Sequence, residues 1–184
     1  MVKRSQRKKV VKDLFLFLIK LNLLLIPFYL IIILDLSFYP FQIAFANFLA
    51  FILKSLNYPV YTSDFFLFVG ESKFPIDISI DCIGWKGMYS LFALVFATPG
   101  NKKDKLKFLL VWMPLLFVIN IFRTLITILV GLNFGLQYLD FFHTFLWQEV
   151  MIFSVIGIWY LWLRRGKLNI RGISNILYSR NRKV

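Results

Sequence analysis

Three side chains in this sequence could do chemistry that the rest could not: Cys82, Arg123 and His143. Cys82 is the only cysteine and His143 the only histidine. A thiolate is a nucleophile, and an imidazole takes up and returns a proton near neutral pH, so the two form the minimal pair for nucleophilic acyl transfer. A fixed guanidinium at Arg123 would add positive charge for a thiolate or an oxyanion. Each residue also has a plainer reading. Cys82 could be an inert buried thiol. His143 could sit at headgroup level beside Phe141, Phe142 and Trp147. Arg123 could be half of an internal ion pair with Glu149. One Cys and one His allow neither an intramolecular disulfide nor a zinc site of their own, so no metal or cofactor is expected. Gly-x-Ser-x-Gly, His-Glu-x-x-His and paired intramembrane aspartates are missing from the sequence.

The neighbours of these residues sharpen the chemical reading. Cys82 lies in DCIGWKGMYS, where Gly84 and Gly87 permit close backbone approach. Lys86 is four residues on. One helical turn would bring its ammonium near the sulfur, which favours thiolate. A Cys82 more reactive than a simple thiol is therefore expected. Arg123 is isolated in an apolar run. A central arginine costs roughly 2.5–3.5 kcal/mol to insert, so it should face the interior with a partner or a task. Asn120 and Thr127 fall on the same helix face and complete a polar stripe.

The elements that must position these residues are membrane helices. The chain has 184 residues, of which 59% are hydrophobic and 22 are Phe. One soluble domain could not hide so much apolar surface, whereas lipid can solvate it. The fold class expected is an all-α integral membrane bundle, a single polytopic domain over 1–184. Its spans lie at about 14–34, 82–98, 106–131 and 143–163. Residues 41–56 read as an amphipathic interfacial or re-entrant helix, with Phe41, Phe45, Phe48, Leu49, Ile52, Leu53 and Leu56 on its apolar arc. Residues 60–79 read as a small outer β-hairpin (strands 60–69 and 73–79), with a turn at Gly70-Glu71-Ser72 and Pro75 on an exposed edge. Pro27 should kink the first span.

The net charge of +13 gathers in three places: the N-terminus from Lys3 to Lys12, the loop Lys102 to Lys107, and the tail 164–184. These clusters flank apolar runs, which the positive-inside rule explains and nucleic-acid binding does not. Both termini and the lysine loop are therefore expected in the cytoplasm, with Cys82, Arg123 and His143 in the outer half of the membrane. Arg123 then lies ~12 Å below the outer end of its helix.

The order Cys, Arg, His on three separate spans resembles the exosortase/archaeosortase family, in its compact, archaeosortase-like form. The matching pieces are Cys82-Ile83-Gly84, the Asn-x-x-Arg of Asn120 to Arg123, and His143 opening the final span, within about 80–163. The resemblance implies a membrane cysteine transpeptidase working on the extracytoplasmic face. Its implied substrates are exported proteins ending in a short motif, a transmembrane helix and a basic tail. It would pass the shortened protein to an acceptor, with a lipid among the candidates. The implied catalytic residues are Cys82, Arg123 and His143, with Asn120 and Lys86 in support. The rival reading is a non-enzymatic transporter subunit or assembly factor built on Arg123 and Glu149.

Overall fold

The computed structural model of the protein describes residues 4–36, 38–70, 74–135 and 149–180. His143 and the expected opening of the last span lie outside them. In chain order come α1 (Arg4–Ile33), α2 (Tyr39–Ser55), β1 (Val60–Ser63), β2 (Phe66–Val69) and β3 (Phe74–Asp77). A 3-10 turn at Ile80–Ile83 then leads into α3 (Trp85–Ala97), α4 (Lys102–Phe134) and α5 (Met151–Arg180). By length and composition, α4 and the Val11–Ile33 part of α1 are apolar enough to cross a membrane. At 13 residues α3 is shorter, only ~20 Å long. It starts at Trp85, so Cys82 sits in the turn before the helix instead of opening it. α5 runs on past the expected end at Leu163, through Arg180.

Two cores share α4. The first half of α4 packs with α3 and α5 around Leu91, Val95, Phe108, Leu116 and Val155. The second half, with Leu125 and Ile128, packs with α2 and the sheet around Leu49, Leu53, Leu67 and Cys82. α1 leans on α3. Phe28 meets the rings of Trp85 and Tyr89 at 5.2 and 5.5 Å. Tyr89 Oη donates to Leu24 O at 2.7 Å. Pro27 lies inside α1 and removes an N–H from the helix ladder. The carbonyl left without a helical donor is that of Leu23; the tyrosine bonds the next one along, in the same turn.

The stretches of α1, α4 and α5 that adjoin the three basic segments come together at one end of the bundle. There Phe17 stacks on Trp159 at 5.9 Å, and Phe108 meets Trp162 at 5.2 Å. Arg165 lies over the Phe108 ring. Lys105, 6% exposed, donates to Phe96 O at 2.9 Å. So Lys102–Lys107 is not a free loop but the first turns of α4, and one of its lysines locks the α3 terminus. Arg123 is 18 residues further along, ~27 Å away at helical rise.

Two elements differ from the sequence reading. The expected hairpin is a three-stranded antiparallel sheet in the order β1-β2-β3. The chain turns an extra time between Ser63 and Phe66, with Asp64 at φ +55°. Asp tolerates that left-handed conformation better than most residues, and it splits 60–69 into two strands. Pro75 is exposed on the edge strand β3, as expected. α2 is a single helix, but its inward face is Gln42, Phe45, Ala46, Leu49, Ala50 and Leu53. Phe41 and Phe51 are 65% and 69% exposed. Two alanines join Phe45 and the leucines facing the protein, while Phe41, Phe48 and Phe51 face outward, an arrangement that suits a helix packed in a lipid setting. An apolar arc drawn for an aqueous interface therefore misplaces Ala46 and Ala50.

Ala46 is fully buried, so Ala46→Phe should overpack the α2–sheet core and cost about 1–3 kcal/mol. Phe51→Leu on the outward face should stay within about 0.5 kcal/mol. Thermal melts of the purified protein in detergent would separate the two. Equal effects would place the inward face of α2 elsewhere.

Candidate active site

Cys82 is 4% exposed and lies in the 3-10 turn, which three contacts hold. Its own N–H donates to Ser79 O at 2.9 Å. Its carbonyl accepts from Asn120 Nδ2 at 2.8 Å. Its sulfur is 3.5 Å from the Ser79 hydroxyl. Just upstream, Gln42 Nε2 donates to Ile78 O at 3.2 Å and ties α2 to the strand entering the turn.

Gly84 closes the turn at φ +80°. A Cβ there would lie 2.6 Å from Asn120 Cγ, so Gly84 is needed both for backbone conformation and for space. Gly87, one turn into α3, lets Met151 come close: a Cβ would meet its Cε at 2.6 Å. Beside it, a groove of about 280 Å³ runs between the first turns of α3 and Met151, Val155 and Ile156 of α5.

α4 supplies the charge. Arg123 is 3% exposed, and its positive charge acts on both Cys82 and Asp81. Asn120 and Arg123 thus approach the same turn from one face of α4. Thr127 shares that face, but its hydroxyl donates back to Arg123 O at 2.9 Å, and Thr124 does the same to Asn120 O. Burial pushes the Cys82 thiol above the ordinary range. The Ser79 hydrogen bond and the Arg123 charge pull it back, while Asp77 adds to the rise. The expected thiolate enrichment is therefore reversed at rest: desolvation outweighs the nearby cation. Lys86 donates to Asp81 Oδ2 at 2.7 Å, the ion pair of this turn. The reason is geometric, since the left-handed Gly84 breaks the helix on which a Cys82–Lys86 neighbourhood depended.

Residues Gln42, Ser79 and Asp81 were not singled out as site residues from the sequence. Ser79 carried a local signal, three residues before the cysteine. Gln42 carried only its polarity in an apolar helix. Asp81 Oδ1, Asn120 Oδ1, Gln42 Oε1 and Trp85 Nε1 are buried and have no hydrogen-bond partner among the described residues. Orphaned polar atoms this close to a thiol suit a site that receives polar groups from elsewhere. Glu149 is exposed near the start of α5. Among the described residues no group of His, Cys, Asp and Glu is arranged to hold a metal ion.

The transmembrane exosortase family model matches residues 8–162. This chain belongs to the exosortase family. It is accordingly a membrane protein of a transpeptidase-like family, and the match spans Cys82, Asn120 and Arg123 as well as His143. Comparison with curated proteins and with solved structures gave no match.

Two outcomes follow for this exosortase. Gly84→Ala should lower the melting temperature strongly, because its methyl meets Asn120 and its φ is unfavourable. Adding Asn120→Ala should relieve only the steric part. Melts of both single variants and the double would reveal that non-additivity, and strict additivity would break the proposed contact. The second outcome concerns pH. With its pKa raised, Cys82 should be alkylated more slowly than a simple thiol at neutral pH, with the rate rising only in the alkaline range. Arg123→Leu removes a charge that favours thiolate, so it should move the profile further alkaline. Rapid neutral alkylation by a small reagent would contradict the burial argument.

Proposed function

We propose that this exosortase is a cysteine transpeptidase in which Cys82 attacks a scissile carbonyl, Arg123 stabilises the charge that develops, and His143 moves the proton. The observation that carries this reading is the convergence of Arg123 and Ser79 on a buried thiol whose turn is fixed by Asn120. A thiol held neutral by burial needs a base at the moment of attack, and His143 is the one histidine in the chain. The sulfur then bonds to the carbonyl carbon, the tetrahedral oxyanion forms near Arg123, and the C–N bond breaks. The leaving amine departs with the proton that His143 took from the thiol. An acceptor nucleophile next attacks the thioester, gives up a proton to His143 and restores the thiol.

Substrates on this reading are exported proteins with a C-terminal motif, a transmembrane helix and a basic tail. Four spans at about 14–34, 82–98, 106–131 and 143–163, with both termini in the cytoplasm, would carry the site on the outer side. That the helix stretches adjoining all three basic segments come together at one end of the bundle, remote from Cys82, supports that orientation. It also fits a substrate whose own basic tail stays on that side.

The test uses Cys82→Ala, Arg123→Lys and His143→Ala in the full chain. In Cys82→Ala cells, a host protein ending in an apolar helix and a basic tail should accumulate with that helix attached. Arg123→Lys keeps a charge at the same depth but loses the planar fork of donors. It should slow processing by about 100- to 1000-fold, the loss typical of an oxyanion donor. Quantitative proteomics of C-terminal peptides measures both. Full processing by Cys82→Ala would end the transpeptidase reading. Near-normal processing by Arg123→Lys would reduce that arginine to a structural charge.

A further inference from the structure

The strand that leads into the nucleophile's turn is also the edge of the sheet. β3 pairs on one side with β2, and among the described residues no strand lies on its other side. The other edge strand, β1, lies farther from the thiol turn; α2 packs on the inner face of the sheet there, with Thr62 Oγ1 bonded to Asn47 at 2.8 Å. Register and bonding fix which backbone groups of β3 face outward. Ile78 N donates to Phe65 O, and Ile76 is paired with Leu67. Residues 76 and 78 therefore bond inward to β2, and in an antiparallel ladder the alternate residues 75 and 77 turn their groups away. Pro75 has no N–H to offer, which is why it is tolerated there. The outward set is Pro75 C=O, Asp77 N–H and Asp77 C=O. Ser79 continues the extended path at φ −62° and ψ 161°, and the alternation turns its N–H the same way.

These groups repeat every two residues, ~6.8 Å apart, which is the spacing of another extended backbone. They end beside the thiol: the Ser79 side chain is 3.5 Å from the sulfur, and the charge of Asp77 is felt there. With the donor at 75 missing, pairing is concentrated on Asp77 and Ser79, at the Cys82 end. The same gap makes the edge a poor template for a second copy of itself, because two short proline-bearing edges would have few bonds to exchange.

We propose that the outer edge of β3 is where the substrate's cleavage segment docks, adding as a short fourth strand through main-chain hydrogen bonds that lead its scissile carbonyl to Cys82. This rests on the transpeptidase reading and names the partner chemistry of that site: an extended polypeptide, held by backbone recognition in the manner of strand addition. Side-chain preference would then come from alternate positions of the bound segment.

The test separates the Asp77 amide from its carboxylate. Asp77→Pro removes the outward N–H and leaves the bonds to β2 in place. Ile76 is already extended, as a residue before proline must be. Asp77→Ala keeps the amide. The probe is the host protein that accumulates uncleaved in Cys82→Ala cells. Its processing by Asp77→Pro should fall at least tenfold below that by Asp77→Ala. As an independent measure, a photo-crosslinking amino acid placed at position 77 in the Cys82→Ala background should capture this protein, whereas one at Tyr61 on β1 should not. The second measurement stands even if Asp77→Pro folds poorly. Equal processing by the two variants, or equal capture from positions 61 and 77, overturns strand addition while leaving the transpeptidase intact. If no protein accumulates in Cys82→Ala cells, the transpeptidase reading falls and this inference falls with it.

Discussion

Asn120 is fully buried, and its amide donates to the carbonyl of Cys82 across the backbone of Gly84. That contact joins the long helix α4 to the turn carrying the thiol, and much else follows from it. It requires a residue without a side chain at 84 and a left-handed backbone there, so α3 cannot begin before Trp85. It sets the height of the turn on α4, so that Arg123, about one helical turn further along, lies close enough for its charge to act on the sulfur. In a low-dielectric interior a hydrogen bond of this kind is worth more than at a surface, and it costs more to leave unmade. The two cores of the protein also meet here, since α4 belongs to both.

The electrostatics of the turn divide between two cations. Lys86 is held by Asp81, and Arg123 acts on both Asp81 and Cys82. The carboxylate of Asp81 thus answers two positive groups, one by a direct ion pair and one through its charge. A thiol in this setting is neutral at rest and still faces a charge that favours its ionised form. Such a group is protected from adventitious oxidation and alkylation, which follow thiolate character and exposure. On the proposed mechanism it would become a nucleophile only when a base and a substrate arrive together.

Much of this was legible in the sequence, for reasons of cost. An arginine in an apolar run and a lone cysteine beside glycines stand out because burying them needs a purpose, and Asn120 lies on the arginine's face by simple helical spacing. The helical membrane class followed from hydropathy, and Pro75 at an edge followed from its missing N–H. What was not legible depended on backbone direction or on distance along the chain. Lys86 was assigned to the sulfur on the assumption of a helix from residue 82, which Gly84 interrupts. Gln42 reaches Ile78 from 36 residues away, and no local pattern announces such a contact. The arc drawn for α2 shares Phe45, Leu49 and Leu53 with its buried face but leaves out Ala46 and Ala50, because polarity was read as for water. The third strand was missed because Asp64 turns the chain without a glycine.

The shortness of α3 bears on the lipid around it. A helix of ~20 Å is some 10 Å less than the hydrocarbon thickness of an ordinary bilayer. Its last turn is tied by Lys105 to the start of α4, so on the proposed topology, in which α3 crosses, the deficit would fall at the Cys82 end. There lipid would thin, or the protein would replace it with its own sheet and α2. Either way the thiol would lie below the headgroups on that side, in a dent in the membrane surface. A peptide bond reaching it would leave water before it met the nucleophile. Membrane thickness would then act as a rheostat on the enzyme: a thicker, more ordered bilayer deepens the dent and raises the work of bringing substrate down into it.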